Sequence, residues 1–336
     1  MGDHRRRLAS PAALAVGLVL FAGALCYVNV DTALATVRTL GAAMPLALLA
    51  SGMWHLTRTW AWWWCFARPR KVRFARLARI RLAAEAFSYL TISGVAGEPL
   101  KVMLLDDRVP AREATAAVAL DRIGYIIGTT VIIGVGSIVA IATQPLSPLW
   151  AKVFRGFAIG SGVFVAAVAM IIIRRDSHIL AGLRRADRAA GTRVASGSVA
   201  HFTADVGRRV AELARGNTMR LAVLTISSIV AYGCMSAEAY LILRAVGLPI
   251  SVTSAVAIET FSRVTSLVSG LIPANLGTLE ASSLAAVASV GVSAGGPPLA
   301  VARRLRGLFW AGIGLAIYPR SRRAAAAQTI AVDDWG

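Results

Sequence analysis

Apolar residues run through this chain in long uninterrupted stretches. Leu8–Val30, Ile123–Ala151, Gly156–Ile173 and Leu221–Ala237 contain no charged residue. A run of about 18 apolar residues or more fits a helix that crosses a bilayer. The pattern predicts spanning helices at about 8–30, 43–66, 123–142, 156–173, 221–246 and 298–319. Two further apolar segments, 82–106 and 255–293, are interrupted. SGVAGEPLK (93–101) divides the first and IPANLGTLEA (272–281) the second. Proline removes a helical N–H and glycine weakens helix formation, so both segments read as broken or re-entrant helical hairpins.

Composition agrees. The 336 residues are 57% hydrophobic and 16% charged, with mean hydropathy +0.65, which excludes an ordinary soluble domain. The formal charge is +19, from 36 Lys and Arg against 17 Asp and Glu. No nucleic-acid partner is predicted, because the basic residues sit in loops beside the spans, where they set orientation. One such loop holds Arg68, Arg70, Lys71, Arg73, Arg76, Arg79 and Arg81. The loop 174–220 carries ten Arg against four acids. Arg5–Arg7 and the tail residues Arg320, Arg322 and Arg323 complete the set. The positive-inside rule puts all four regions, and both termini, in the cytoplasm. The apolar run after Arg7 ends in no small-x-small cleavage signal, so it reads as a retained first helix.

Parity follows. If 82–106 crossed once, the arginine-rich loop would lie outside, so 82–106 must enter and leave by one face, and 255–293 by the opposite face. Within 174–220, Val199, Phe202, Val206, Val210 and Leu213 recur at helical spacing. That stripe suits a helix on the anionic inner leaflet, or one packed on the protein. WHLTRTWAWWWC (54–65) reads as an interfacial aromatic belt with Arg58 reaching the same interface. Cys26, Cys65 and Cys234 form no CxxC pair and read as small apolar residues.

The two interrupted segments resemble each other. Glu85-Ala-Phe87-Ser88-Tyr-Leu-Thr91 and Glu259-Thr-Phe261-Ser262-Arg-Val-Thr265 share the pattern E-x-F-S-x-x-T. Each continues to a Ser-Gly, then to a glycine and a glutamate (Gly97-Glu98; Gly277 and Glu280). Each is followed by A-V-A-x-x-x-x-G, at Ala117–Gly124 and Ala300–Gly307. With opposite entry faces, this predicts an inverted repeat, whose broken helices build a polar site at mid-membrane. The fold class expected is an all-α integral membrane protein, one polytopic domain over 1–336. It has about six full spans and two broken hairpins, with repeats at about 82–173 and 221–319 flanking the basic loop 174–220.

Irregular backbone at membrane depth must face protein or a water-filled cavity. The break residues Gly94, Gly97, Pro99, Gly270, Pro273 and Gly277 are therefore expected at such a cavity. Pro99 suits the first position of a new helix with Glu98 at its cap, and Asn275 or Thr278 can cap the next with Glu280 in its first turn. Both glutamates then meet a half-helix dipole, either as caps only or as ligands of an ion, a proton or a cationic head group. Their candidate counter-charges are Lys101, Arg122, Arg263, Arg303, Arg304 and Arg306. The last three fall inside a barely spanning helix, where facing lipid costs at least about 2.5 kcal/mol each, so they are expected to face the cavity and can grip a phosphate. Asp121 and Arg122 could pair locally, as could Glu238 and Arg244. The substrate-binding set is Glu98, Lys101, Arg122, Glu259, Arg263, Asn275, Glu280, Arg303 and Arg304. His4, His55, His178 and His201 lack metal-ligand spacing, Asp106-Asp107 is too little for a two-metal site, and no GxSxG or phosphate-cradling loop occurs. No metal, cofactor or catalytic residue is expected.

At these motifs the sequence resembles a family of flippase-like membrane proteins related to the transmembrane region of lysylphosphatidylglycerol synthase. That family carries a break followed by Gly-Glu-x-x-Arg. Here Gly97-Glu98 match, Lys101 replaces the arginine, and the usual proline before the glycine is missing. Its second signature is matched by Pro273, Leu276, Gly277, Glu280-Ala281, then Gly291-Val292 and Arg304-Leu305. ALDRIGYIIG (119–128) resembles its Asp/Glu-Arg segment. The likeness covers about residues 8–320. It implies movement of a polar-headed lipid, phospholipid or isoprenoid-derived, between the leaflets of a bacterial inner membrane. Anionic phospholipid head groups are the implied ligands and a lipid-synthesis enzyme a possible partner. The chain ends at 336 without a globular extension, so lysyl transfer to lipid is not expected. The alternatives are a membrane enzyme acting on a lipid head group, or an accessory subunit of a synthesis complex.

Overall fold

The computed structural model describes residues 2–26, 29–66, 72–91, 97–105, 109–174, 218–269 and 277–319. Gly94, Gly270, Pro273 and Asn275 lie outside the described residues, as do Asp106-Asp107, Arg320–Arg323 and the amphipathic stripe in the basic loop. The described residues contain helices and no strand. In chain order these are α1 (Gly2–Cys26), α2 (Val30–Leu40), α3 (Ala43–Trp64), α4 (Phe74–Leu90), α5 (Gly97–Leu105), α6 (Ala111–Thr143), α7 (Pro148–Arg174), α8 (Thr218–Ala245), α9 (Val252–Ser269), α10 (Thr278–Ala288) and α11 (Gly296–Ala316).

Among the described residues three helices are long and apolar enough to cross a bilayer: α6, Pro148–Val168 of α7 and Ala222–Ala245 of α8. Leu14–Cys26 and Val30–Leu40 meet the same test only as a pair, bent by 82°. The helices α3 and α11 have 22 and 21 residues, enough for a span at 1.5 Å per residue. Their apolar character is diluted by His55 and Arg58, and by Arg303, Arg304 and Arg306. The helix α2 fills the stretch between the first two predicted helices. Asn29 starts it, its Oδ1 accepting from the Thr32 N–H at 2.9 Å, and Gly41 ends it at φ 49°.

In both interrupted segments the two flanking helices pack on each other, α4 against α5 and α9 against α10. The helix α5 starts at Gly97, so Pro99 is its third residue and not its first. In α10 the cap is Gly277, at φ 76°, and not Asn275 or Thr278. That left-handed conformation suits glycine, which has no Cβ to clash. Glu280 does lie in the first turn.

Two apolar cores result. One gathers α4, α5, the start of α6, Ala61 and Trp62 of α3 with Cys65 and Phe66 just after it, and Leu308, Ala311 and Leu315 of α11. The other gathers α9, α10, the end of α8, Met44 and Ala47 of α3, and Leu299 and Ala302 of α11. Thus α3 and α11 run through both cores, and the polar residues midway along them fall between. The pairings cross over: α4 packs on α11, α9 on α6, and α3 on α8. The α4–α11 contact is close because of Gly314. A Cβ there would sit 2.3 Å from the Leu82 carbonyl oxygen, the small-residue packing that brings membrane helices together.

Candidate functional site

A cavity of about 300 Å³ opens between the two cores. Ser51, Trp54 and His55 of α3, Glu85 and Tyr89 of α4, and Glu259, Ser262 and Arg263 of α9 line it. Leu279 and Ser282 of α10, Arg303, Arg306 and Trp310 of α11 and Met235 of α8 also line it. Helical phase puts them there. Met44, Ala47, Ser51, Arg58 and Trp62 are the buried stripe of α3, recurring every three or four residues on one face. His55 belongs to the same stripe and packs between Trp54 and Trp310, with ring centroids at 4.7 and 4.9 Å.

The charges are almost all paired, as a low-dielectric interior requires. Glu259 is held by two guanidiniums, Arg263 Nε at 2.8 Å and Arg303 Nη2 at 2.8 Å. Arg303 Nη1 also donates to Ser262 Oγ at 2.8 Å. Arg306 pairs with Glu238 of α8. Arg263 Nη1 donates to the Tyr125 hydroxyl at 3.1 Å, and Tyr125 carries Arg58 over its ring at 4.6 Å. Arg58 Nη2 meets Asp121 Oδ1 at 2.9 Å. Arg81 bridges Asp121 at 3.5 Å and Glu85 at 3.1 Å. An unbroken line of polar contacts therefore joins Glu85 to Glu259 across the bundle. These two residues open the two E-x-F-S motifs. Their surroundings differ: among the described residues Glu259 is ion-paired with two guanidiniums and has a side chain 6% exposed, while Glu85 is ion-paired with Arg81 and is 29% exposed.

Three buried nitrogens of the lining residues have no hydrogen-bond partner among the described residues: Arg303 Nε, His55 Nδ1 and Trp54 Nε1. Arginine and tryptophan nitrogens are donors only, and a neutral imidazole nitrogen can donate or accept. The wall is therefore suited to a guest rich in oxygen acceptors.

Among the predicted site residues, Glu259, Arg263 and Arg303 come together here. Glu98 and Lys101 pair with each other at 2.9 Å on α5, with Lys101 buried 5.7 Å from the Trp62 ring, and neither lines the cavity. Glu280 pairs with Arg304 across α10 and α11, in a separate groove. Arg122 is exposed, 5.8 Å above the Tyr125 ring. Several pairings differ from the expected ones. Asp121 meets Arg58 and Arg81 instead of Arg122. Glu238 meets Arg306 instead of Arg244, because residues six apart face different sides of a helix. Arg58 is buried in the bundle and does not reach the interface. The tryptophans divide likewise: Trp60 is exposed as a belt residue would be, Trp62 is fully buried, and Trp54 lines the cavity.

Glu85 and His55 line the cavity, and the break motifs alone do not reveal them. The signal for Glu85 was the repeat, since Glu259 is its counterpart. The signal for His55 was its place on the α3 stripe. Among the described residues no group of His, Cys, Asp and Glu could hold a metal ion.

Residues 12–316 match the family described as the lysylphosphatidylglycerol synthase TM region. No curated protein matches the chain.

Proposed function

The chain belongs to the lysylphosphatidylglycerol synthase transmembrane-region family, and from that premise we propose that it moves a polar-headed lipid between leaflets without altering it chemically. One observation carries this reading: a polar cavity of about 300 Å³ at the seam between two similar broken hairpins. Arg303, Arg263 and Arg306 supply donors for a phosphate. Glu85, the less neutralised carboxylate, serves a cationic part of the head group or a coupling proton. Trp54, Tyr89 and Trp310 flank the path of the head group and its glycerol or isoprenoid linkage.

In this reading the hairpins belong to an inverted repeat. The crossed pairings support it, because α4 on α11 and α9 on α6 are the reciprocal contacts that a two-fold relation in the membrane plane requires. The α3–α8 contact extends the repeating unit to the helix before each hairpin. Such repeats move cargo by rocking about a central site. The unequal settings of Glu85 and Glu259 then identify one of two end states. The charge distribution favours six spans with both termini cytoplasmic, in a bacterial inner membrane.

Reconstitution in vesicles with fluorescent anionic and zwitterionic phospholipids tests the proposal. Quenching by an impermeant reductant should reveal movement by the wild type. Arg303→Gln should slow it by about tenfold or more, as the loss of a charged hydrogen-bond partner implies. Unchanged movement with Arg303→Gln would overturn the role of the cavity, and a lipid product of altered mass would favour a head-group enzyme instead.

A further inference from the structure

The hairpin of α10 and α11 is a wall with two faces. Leu279, Ser282, Arg303 and Arg306 face the central cavity. Gly277, Glu280, Val301, Arg304 and Leu305 line a second space of about 350 Å³, together with Asn29 and Thr32 at the start of α2. The consecutive arginines 303 and 304 thus serve different spaces, and no residue lines both.

The chemistry of the groove is specific. Arg304 directs Nε at 2.7 Å and Nη2 at 2.5 Å to the same Glu280 oxygen, Oε1. Arg304 Nη1 and Glu280 Oε2 have no hydrogen-bond partner among the described residues, and the Arg304 side chain is only 10% exposed. The pair is neutral as a whole, and its one unpartnered donor and one unpartnered acceptor are buried beside the groove with almost no accessible surface. A phosphate could accept from Nη1 but would face the carboxylate. An ammonium could donate to Oε2 but would face the guanidinium. A hydroxyl both donates and accepts, and brings no charge to desolvate. Asn29, whose Oδ1 is occupied by the Thr32 N–H, adds amide donors, and Thr32 adds a hydroxyl. All four side chains suit a polyol.

The same α2 carries Val30, Leu34 and Val37, all exposed, at i, i+4 and i+7 on one face. It turns 82° from α1, so a spanning α1 lays α2 along the membrane surface, where such a face meets acyl chains. We infer that this groove is a second binding site, for the uncharged hydroxylated head group of a lipid, glycerol- or sugar-type, held by Glu280, Arg304, Asn29 and Thr32. It does not depend on transport through the central cavity.

The test is lipid retention by the full chain, purified from nanodiscs containing monoglucosyl diacylglycerol, phosphatidic acid or phosphatidylcholine and analysed by native mass spectrometry. The wild type should retain the glucosyl lipid in preference to the other two. Glu280→Leu with Arg304→Leu should lower that retention at least tenfold. Thr32→Val, at an exposed position that leaves the ion pair intact, should lower it about fivefold, the effect of one hydrogen bond. Arg303→Gln should leave it unchanged while slowing vesicle translocation, which separates this site from the cavity. Excess methyl glucoside should not displace the lipid. Undiminished retention by Thr32→Val and the double variant would overturn the inference. So would a preference for phosphatidic acid abolished by the double variant, or displacement by the free sugar.

Discussion

Arg58 illustrates how much one buried charge depends on its partner. Its side chain is 2% exposed, bonded to Asp121 and stacked on Tyr125. Asp121→Ala would leave Arg58 and Arg81 sharing an interior with too little negative charge. The cost expected is about 3–5 kcal/mol, read as a lower unfolding midpoint in detergent. Replacing both partners, Arg58→Leu with Asp121→Leu, should recover most of that loss, because the penalty lies in the unpaired charge. Full stability of Asp121→Ala would show that solvent reaches Arg58. At this scale the sequence was half legible. That Arg303 turns inward follows from the expense of a lipid-facing guanidinium. The partners did not follow, because Asp121, Arg58 and Arg81 lie on three different helices and nothing local links them. The tryptophans around Arg58 pointed to the interface, whereas the phase of α3 sets Trp54, Arg58 and Trp62 four residues apart on its buried side.

Among the elements, the α4–α5 hairpin has the narrowest tolerance. Gly97 opens α5 where a Cβ would lie 2.1 Å from Ser88 Oγ and 2.6 Å from the Ala84 carbonyl oxygen. The serine can rotate but the carbonyl cannot. Gly97→Ala should therefore cost about 1–3 kcal/mol and push α5 away from α4, measurable by unfolding in detergent and by spin-label distances between the two helices. A neutral effect would mean that the hairpin is loosely packed. Gly277→Ala should cost about 1–2 kcal/mol for a different reason, its left-handed backbone. The breaks were legible because glycine and proline interrupt helices wherever they fall. The exact helix starts were not, since a left-handed glycine cap competes with the side-chain caps that Asn275 and Thr278 offered. The helix α2 was short enough to escape the apolar pattern, although Asn29 and Gly41 mark its two ends.

For the whole molecule, the repeat motifs were legible as text, but the cavity required the crossed pairing of α4 with α11 and α9 with α6, which no motif encodes. That pairing brings Glu85 and Glu259 to one cavity in unequal states, and the inequality makes a prediction about motion. If the repeats exchange roles, neutralising either carboxylate should trap the protein in opposite end states. Glu259→Gln removes a charge held by two guanidiniums, loosening the ion pairs that tie α9 to α11. Glu85→Gln removes the charge that the equivalent ion pairs of the exchanged state would need, so it holds the protein as it stands. A ligand or substitution can shift such an equilibrium only through its different interaction with the two states, and these two substitutions differ in that respect. With Cys26, Cys65 and Cys234 replaced, Ser282→Cys places a thiol on the cavity wall. In oriented vesicles an impermeant maleimide should label it from one side in the Glu85→Gln background and from the other side in the Glu259→Gln background. Labelling from the same side in both would mean that the two glutamates act in a single conformation, and that the inequality between them is a fixed feature of one rigid site.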